Sequence, residues 1–255
     1  MIRWLRSDDD SLPEARLALG RSSDAPGLVA AGGELSARRL AEAYSKGIFP
    51  WYSEGQPVLW WSPDPRMVLL TDEFKLARSL RKTVRRFSLT SACELRIDSD
   101  FRAVITACAT APRDGQPGTW IVPEMIEAYC AWHEEGRAHS FETWIDGELA
   151  GGLYGISLGR MFFGESMFAR RTDASKIALA GLVAFCRAHG VATIDCQQRT
   201  AHLASFGGRE LPRGEFLRRL DAALAMPDID DWTYDLRLWR QLGIGADPAS
   251  DIVPR

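Results

Sequence analysis

No stretch of the sequence approaches the ~20 apolar residues that a membrane-crossing helix requires. The first residues, Met1-Ile2-Arg3-Trp4-Leu5-Arg6 followed by three Asp, lack the apolar run of a secretory signal. Cysteine is sparse and odd in number: Cys93, Cys108, Cys130, Cys186 and Cys196 are widely scattered. That argues against a disulfide framework and points to reduced thiols in a cytoplasmic protein. Internal repeats and low-complexity tracts are missing too. A net charge of only −3 gives no whole-molecule field that would attract a polyanion. These absences leave an ordinary soluble globular protein of 255 residues, long enough to bury a full core in one or two domains.

The most informative absence is local. Residues 142–197 read as two successive hairpins, a helix and a strand. The hairpins run from Glu142 to Ile145, from Glu148 to Ser157 and from Arg160 to Phe168, with turns at Asp146-Gly147 and near Leu158-Gly159. The helix spans about Asp173 to His189, and the strand runs from Val191 to Asp195 into Cys196-Gln197. Strands, then a helix, then a strand ending in polar residues can carry an acyl-transfer site. Coenzyme A-dependent acyltransferases put glycines before that helix, so that bare N–H groups can wrap a pyrophosphate. Here Ala169-Arg170-Arg171-Thr172-Asp173-Ala174-Ser175-Lys176 contains no glycine. An anion could bind there only through side chains, which argues against coenzyme A as the acyl donor.

Elsewhere the chain predicts a strand and loops over 1–25, a short helix over Ser36–Lys46, and helices over Phe74–Phe87, Asp100–Ala111, Pro123–Glu135 and Gly214–Ala225. From Gly47 to Arg66, four prolines and three tryptophans exclude a regular element and predict a stiff aromatic loop. Residues 226–255 read as an extended tail. The domains expected are a small N-terminal one over 1–70, an α/β one over 71–225 and that tail.

Glu165 lies among Phe162, Phe163, Met167 and Phe168, where a carboxylate either reaches solvent or is held for a purpose. Asp195 and Gln197, one residue apart, would share a face of an extended strand, and the pair could orient an amine or accept its proton. Trp51, Trp60, Trp61 and Trp120 offer flat faces on which a base could stack, although most tryptophans are core. Between Lys75 and Arg86 six basic residues meet no acidic one, a distribution suited to a phosphate backbone. The Cys-x-x-His spacings at Cys130/His133 and Cys186/His189 lie within expected helices and are not read as metal sites. Cys196 is read as a packed thiol, having no adjacent His to activate it.

Taken in order, several stretches resemble the bacterial leucyl/phenylalanyl-tRNA–protein transferases. They include Gly47-Ile-Phe-Pro-Trp-Tyr-Ser, Trp60-Trp-Ser-Pro-Asp-Pro-Arg66, Gly118-Thr-Trp-Ile121, Gly151-Gly-Leu-Tyr-Gly155, Phe163-Gly-Glu-Ser-Met-Phe168, Ile194-Asp-Cys-Gln197 and His202-Leu-Ala-Ser205. The resemblance spans about residues 27–220. It implies an α+β protein, with a small N-terminal domain followed by a domain like the GCN5-related N-acetyltransferases. It also implies transfer of leucine, or less readily phenylalanine or methionine, from aminoacyl-tRNA to a protein's N-terminal Arg or Lys, creating a degradation signal. Aminoacyl-tRNA and such acceptor proteins would be the partners of a monomer, with no metal or redox cofactor.

Carried onto matching positions, the family's roles make Asp195 and Gln197 the catalytic relay and have Glu165 hold the aminoacyl amine or help shape the site. They place Leu153, Phe162 and Ile194 in the aminoacyl pocket and Trp51 and Trp120 around the terminal adenosine. Arg78, Lys82, Arg85 and Arg86 match the cluster that holds the tRNA backbone. Leu153 stands where the family often has Met, a departure that bears on the leucine/phenylalanine preference. Two rival readings remain at this point. One is a coenzyme A-dependent N-acetyltransferase, and the other is an RNA-binding module without catalysis.

Overall fold

The computed structural model describes residues 2–6, 10–111 and 120–245. Two sheets organise it. The smaller has four short strands, β1 (Arg3–Leu5), β2 (Leu28–Gly32), β3 (Phe49–Pro50) and β4 (Leu59–Trp61), in the order β1-β2-β4-β3. The larger has seven: β5 (Arg66–Leu70), β6 (Cys93–Ile97), β7 (Ala138–Ile145), β8 (Glu148–Leu158), β9 (Met161–Ala169), β10 (Thr193–Gln197) and β11 (Arg209–Leu211). Their order is β11-β5-β10-β9-β8-β7-β6, antiparallel except for β9 and β10. The architecture is a mixed α+β one with an N-terminal unit.

The two hairpins form as their turns predict. Asp146 and Gly147 both take positive φ, 56° and 78°, which suits a two-residue turn that matches the twist of the flanking strands. The parallel β9/β10 pair needs a crossover, supplied by the helix α5 (Ala174–Ala188). That helix is apolar nearly all round because it is covered on both sides. The sheet lies under one face, and a 3-10 helix, Leu236–Leu242, lies over the other. The opposite face of the sheet carries α3 (Phe101–Thr110) and α4 (Pro123–Glu134). The N-terminal helix α1 (Ala37–Ser45), capped by Ser36, and the late helix α7 (Arg213–Leu224), which follows the short α6 (Ala201–Ser205), join that second layer.

Two expectations are corrected. The aromatic segment 47–66 is not wholly irregular, since β3 and β4 form within it and β5 begins at its last residue. Its one strand proline, Pro50, is tolerated because β3 is an edge strand of the small sheet. Nor is the described part of 226–255 an extended tail. Ile229, Trp239, Leu242 and Ile244 are buried, and Arg187 and Arg81 donate to the carbonyls of Gln241 and Leu242. An Asp-rich sequence with isolated apolar residues lacks the period of a helix, yet the Leu236–Leu242 turn packs on α5 and Trp232 stacks on Phe185 of that helix. Trp239→Ala is therefore expected to destabilise the whole protein by about 3–5 kcal/mol, as for other buried large side chains. Urea unfolding would measure this, and a loss below about 1 kcal/mol would show that the segment is not part of the cooperative core.

Candidate functional site

A cavity of about 410 Å³ opens beside the C-terminal end of β10. Its apolar part is lined by Leu153 of β8, Met167 of β9, Leu179 and Leu182 of α5, and Ile194 of β10. Trp51 and Trp120 line it too, as do Glu165 and Gln197. Thus six residues singled out from the sequence (Leu153, Ile194, Trp51, Trp120, Glu165 and Gln197) meet at one hollow, though they come from distant parts of the chain.

Two expected residues do not face it. Phe162 is 1% exposed and packs edge-on to Phe141 at 6.2 Å. Its ring lies over Gly155, where an added Cβ would stand 2.4 Å from the ring, so Phe162 supports the pocket from beneath. Asp195 is wholly buried and turned the other way. Its Oδ1 and Oδ2 accept from Nε and Nη2 of Arg66 at 2.8 and 2.6 Å, and Arg66 is wholly buried as well. The expectation that Asp195 and Gln197 share one face fails for a definite reason. Opposite β5 the register slips between them, and Gln197 has φ of 54°. The bend is closed by the Gln197 N–H, which donates to Asp195 Oδ1 at 3.0 Å, while the Gln197 side chain swings to the cavity.

There it meets Glu165. Gln197 Nε2 donates to Glu165 Oε1 at 3.0 Å, and the Tyr44 hydroxyl donates to the same oxygen at 2.8 Å. Tyr44 has one hydroxyl proton, so at the 2.6 Å contact between Tyr44 and Tyr129 it is Tyr129 that donates. The chain of donors is Tyr129 to Tyr44 to Glu165, met from the other side by Gln197. Both tyrosines are fully buried, and burial raises their hydroxyl pKa values well above the ordinary range. Tyr44, Tyr129 and Arg66 were not singled out from the sequence. Tyr44 and Tyr129 lie in the helices expected over Ser36–Lys46 and Pro123–Glu135, and Arg66 at the end of the expected aromatic loop.

Burial pushes the Glu165 carboxyl up to about 8, the neighbouring charge of Asp195 pushes in the same direction, and the Tyr44 hydrogen bond and Arg66 oppose the shift. Near neutrality Glu165 is largely protonated, and with Oε1 accepting twice its proton sits on Oε2. Cys196 also lines the cavity, but burial raises its thiol pKa and its Sγ points to the Ile194 carbonyl, so it is no nucleophile.

Before α5 three backbone N–H groups are already engaged within the protein. The N–H groups of Arg170 and Arg171 both donate to the Ala150 carbonyl, and that of Ala174 donates to Arg171. Asp173 does not cap α5 with its side chain but takes Lys176 Nζ at 2.7 Å. The basic stretch gives the helix α2 (Arg78–Ser88), which buries Leu80, Val84 and Phe87 and exposes Arg78, Lys82, Arg85 and Arg86. No acidic residue sits in its first turn, so its cations oppose the helix dipole there. His133 stacks on Phe101, and His189 on Phe185; no group of three or more metal-ligating side chains occurs among the described residues.

The raised Glu165 carboxyl makes a stability prediction with a definite sign. The folded chain keeps a proton to about pH 8 that an unfolded Glu releases near its ordinary value of 4.5, so stability falls as pH rises through that window. Glu165→Gln keeps both hydrogen bonds and removes the titration. Relative to wild type it should gain about 1–2 kcal/mol between pH 5 and pH 8, a solvent-screened fraction of the full shift. Parallel pH profiles of the two proteins in denaturant melts would refute a raised carboxyl.

Comparison with known proteins places the chain clearly. Residues 68–221 match the family described as leucyl/phenylalanyl-tRNA protein transferase, and residues 33–64 match the N-terminal domain of the same family. The leucyl/phenylalanyl-tRNA–protein transferase of Methylibium petroleiphilum is 65% identical over 255 residues, covering 99% of this chain and 96% of its own. Those of Leptothrix cholodnii and Cupriavidus necator are 62% and 58% identical, covering 95% and 98% of this chain and 96% and 100% of their own. With both parts of the family matched in order and relatives aligned nearly end to end, the chain belongs to the leucyl/phenylalanyl-tRNA–protein transferase family.

Proposed function

We propose that this protein transfers leucine, and less readily phenylalanine or methionine, from aminoacyl-tRNA to the α-amino group of proteins that begin with Arg or Lys. It would act in the cytoplasm as a monomer and mark its products for degradation. The observation that carries this reading is the cavity. An apolar hollow walled by Leu153, Met167 and Ile194 adjoins two tryptophans and the Glu165–Gln197 pair. An aminoacyl-adenosine has that sequence of parts: an unbranched-at-β apolar side chain, an α-amine, an ester and a flat base. The larger domain is read as related to the GCN5-type N-acetyltransferases. In support, α5 crosses over the parallel β9/β10 pair in an otherwise antiparallel sheet. The glycine-free turn before α5, with the N–H groups of Arg170, Arg171 and Ala174 already engaged, suits a donor that is an RNA ester and not coenzyme A.

In this reading the leucyl side chain fills the apolar part and the terminal adenosine lies between Trp51 and Trp120. The cations Arg78, Lys82, Arg85 and Arg86 hold the tRNA backbone. Glu165 Oε2 faces the aminoacyl amine, and Gln197 turns its carboxamide oxygen to the attacking amine. The amine nitrogen attacks the ester carbonyl and the C–O bond to the ribose breaks. The proton lost by the amine ends on the departing ribose hydroxyl, relayed by the substrate's own hydroxyls. An ester is already activated towards amines, so positioning supplies much of the rate.

Transfer of labelled leucine from leucyl-tRNA to a protein with N-terminal Arg tests this directly. Wild type should transfer, while folded Gln197→Ala and Glu165→Ala should lose about 10- to 100-fold. A wild type that transfers nothing from leucyl-tRNA would overturn the reading. Lys82→Ala, Arg85→Ala and Arg86→Ala should each weaken tRNA binding whatever its sequence. Each should also reduce the dependence of log affinity on log salt by roughly 0.7–0.9, as expected for one lost phosphate contact. An unchanged salt slope would remove α2 from the tRNA site.

A further inference from the structure

We propose that Arg66 is a positioning residue for the transfer reaction, acting through Asp195 on the backbone and side chain of Gln197; this rests on the function proposed above. Arg66 has no access to the cavity and cannot touch substrate. Each arm of its guanidinium is nonetheless engaged. Nε and Nη2 hold the two Asp195 oxygens, and Nη1 donates to the Gly47 carbonyl at 3.1 Å. Its carbon also lies over the rings of Phe49 and Phe216, 4.8 and 4.6 Å from their centroids. A planar fork with all three nitrogens hydrogen-bonded and two aromatic rings packed on it is held in one orientation, and it passes that orientation to the carboxylate.

The consequence falls on Gln197. Asp195 Oδ1, fixed by Arg66 Nε, is the same oxygen that accepts the Gln197 N–H. That hydrogen bond closes the register slip and holds Gln197 at φ of 54°, a conformation unfavourable for a residue with a side chain. The bend carries the Gln197 side chain from the line of the strand to the cavity, where Nε2 meets Glu165 and the carboxamide oxygen has no hydrogen-bond partner among the described residues. Arg66 and Gln197 are linked by two hydrogen bonds in series through one oxygen. Asp195 therefore serves the reaction by direction, not by proton transfer.

Arg66→Lys tests the assignment, since lysine keeps the charge but cannot reproduce the fork. The rate of leucyl transfer should be measured in single turnovers at saturating leucyl-tRNA, so that changes in affinity drop out. A loss of about 10-fold or more is expected for the folded variant. The deciding measurement is the double variant: in a Gln197→Ala background, Arg66→Lys should change the rate less than 2-fold, because the group it positions is already gone. Undiminished transfer by folded Arg66→Lys, or losses that multiply in the double variant, would overturn the proposal. If Arg66→Lys fails to fold, the isosteric Asp195→Asn takes its place in the same cycle, with the same two outcomes. A wild type that does not use leucyl-tRNA at all would instead be a failure of the proposed function.

Discussion

Two opposite charges, Arg66 and Asp195, lie wholly out of water and hold each other by two hydrogen bonds. Such a pair is a poor way to gain stability, because desolvation consumes much of the attraction, but removing one partner typically costs ~3–5 kcal/mol. Its significance lies in what it joins. Arg66 opens β5, Asp195 lies in β10, Gly47 precedes β3, and Phe216 belongs to α7. The N-terminal unit, the larger sheet and the last long helix therefore meet at one guanidinium. Apolar packing could hold these elements together equally well. It could not fix the direction of a carboxylate to within a hydrogen bond.

The parts of the fold legible in the sequence were those with a period or a punctuation mark. Ser36, Asp100 and Pro123 announced three helices that begin at the next residue or on the residue itself. Asp146-Gly147 announced the first hairpin. The strands β2, β5 and β6 were not announced. A fully buried run such as Arg66-Met-Val-Leu-Leu70 shows no alternation, and its assignment depends on partners distant in sequence. The 3-10 segment that carries Trp239 was missed for a similar reason, because α5, not the segment's own pattern, determines where it lies.

The candidate site shows the same division. Glu165 and Gln197 were recognisable as polar groups in apolar strands, and the structure brings them to 3.0 Å. The strand rule that residues i and i+2 share a face misplaced Asp195, since a one-residue slip defeats it. The signal that could have corrected it was electrostatic. Arg66 precedes four apolar residues and Asp195 sits between Ile194 and Cys196, so each charge needed a buried partner and each could supply the other's need. Phe162 was placed in the pocket by the family resemblance, whereas its ring lies against Gly155, whose missing side chain leaves it room.

What distinguishes Glu165 from Asp195 is the company each keeps. Asp195 has a cation at both oxygens, and Glu165 has only neutral donors, from Tyr44 and Gln197, both on one oxygen. The two carboxyls are thereby driven to different duties. Asp195 is turned to Arg66 and the Gln197 N–H, while burial raises Glu165 to about 8 and leaves it able to exchange a proton near neutrality. For attack by an amine on an ester this division suits the chemistry, since a strong base held next to an aminoacyl ester would also promote its hydrolysis. The left-handed conformation at Gln197, worth about 1–3 kcal/mol of strain, is the cost of aiming a neutral carboxamide into the cavity. The Arg66–Asp195 pair is what keeps that strain from relaxing, because straightening the strand would detach the Gln197 N–H from the one oxygen positioned to receive it.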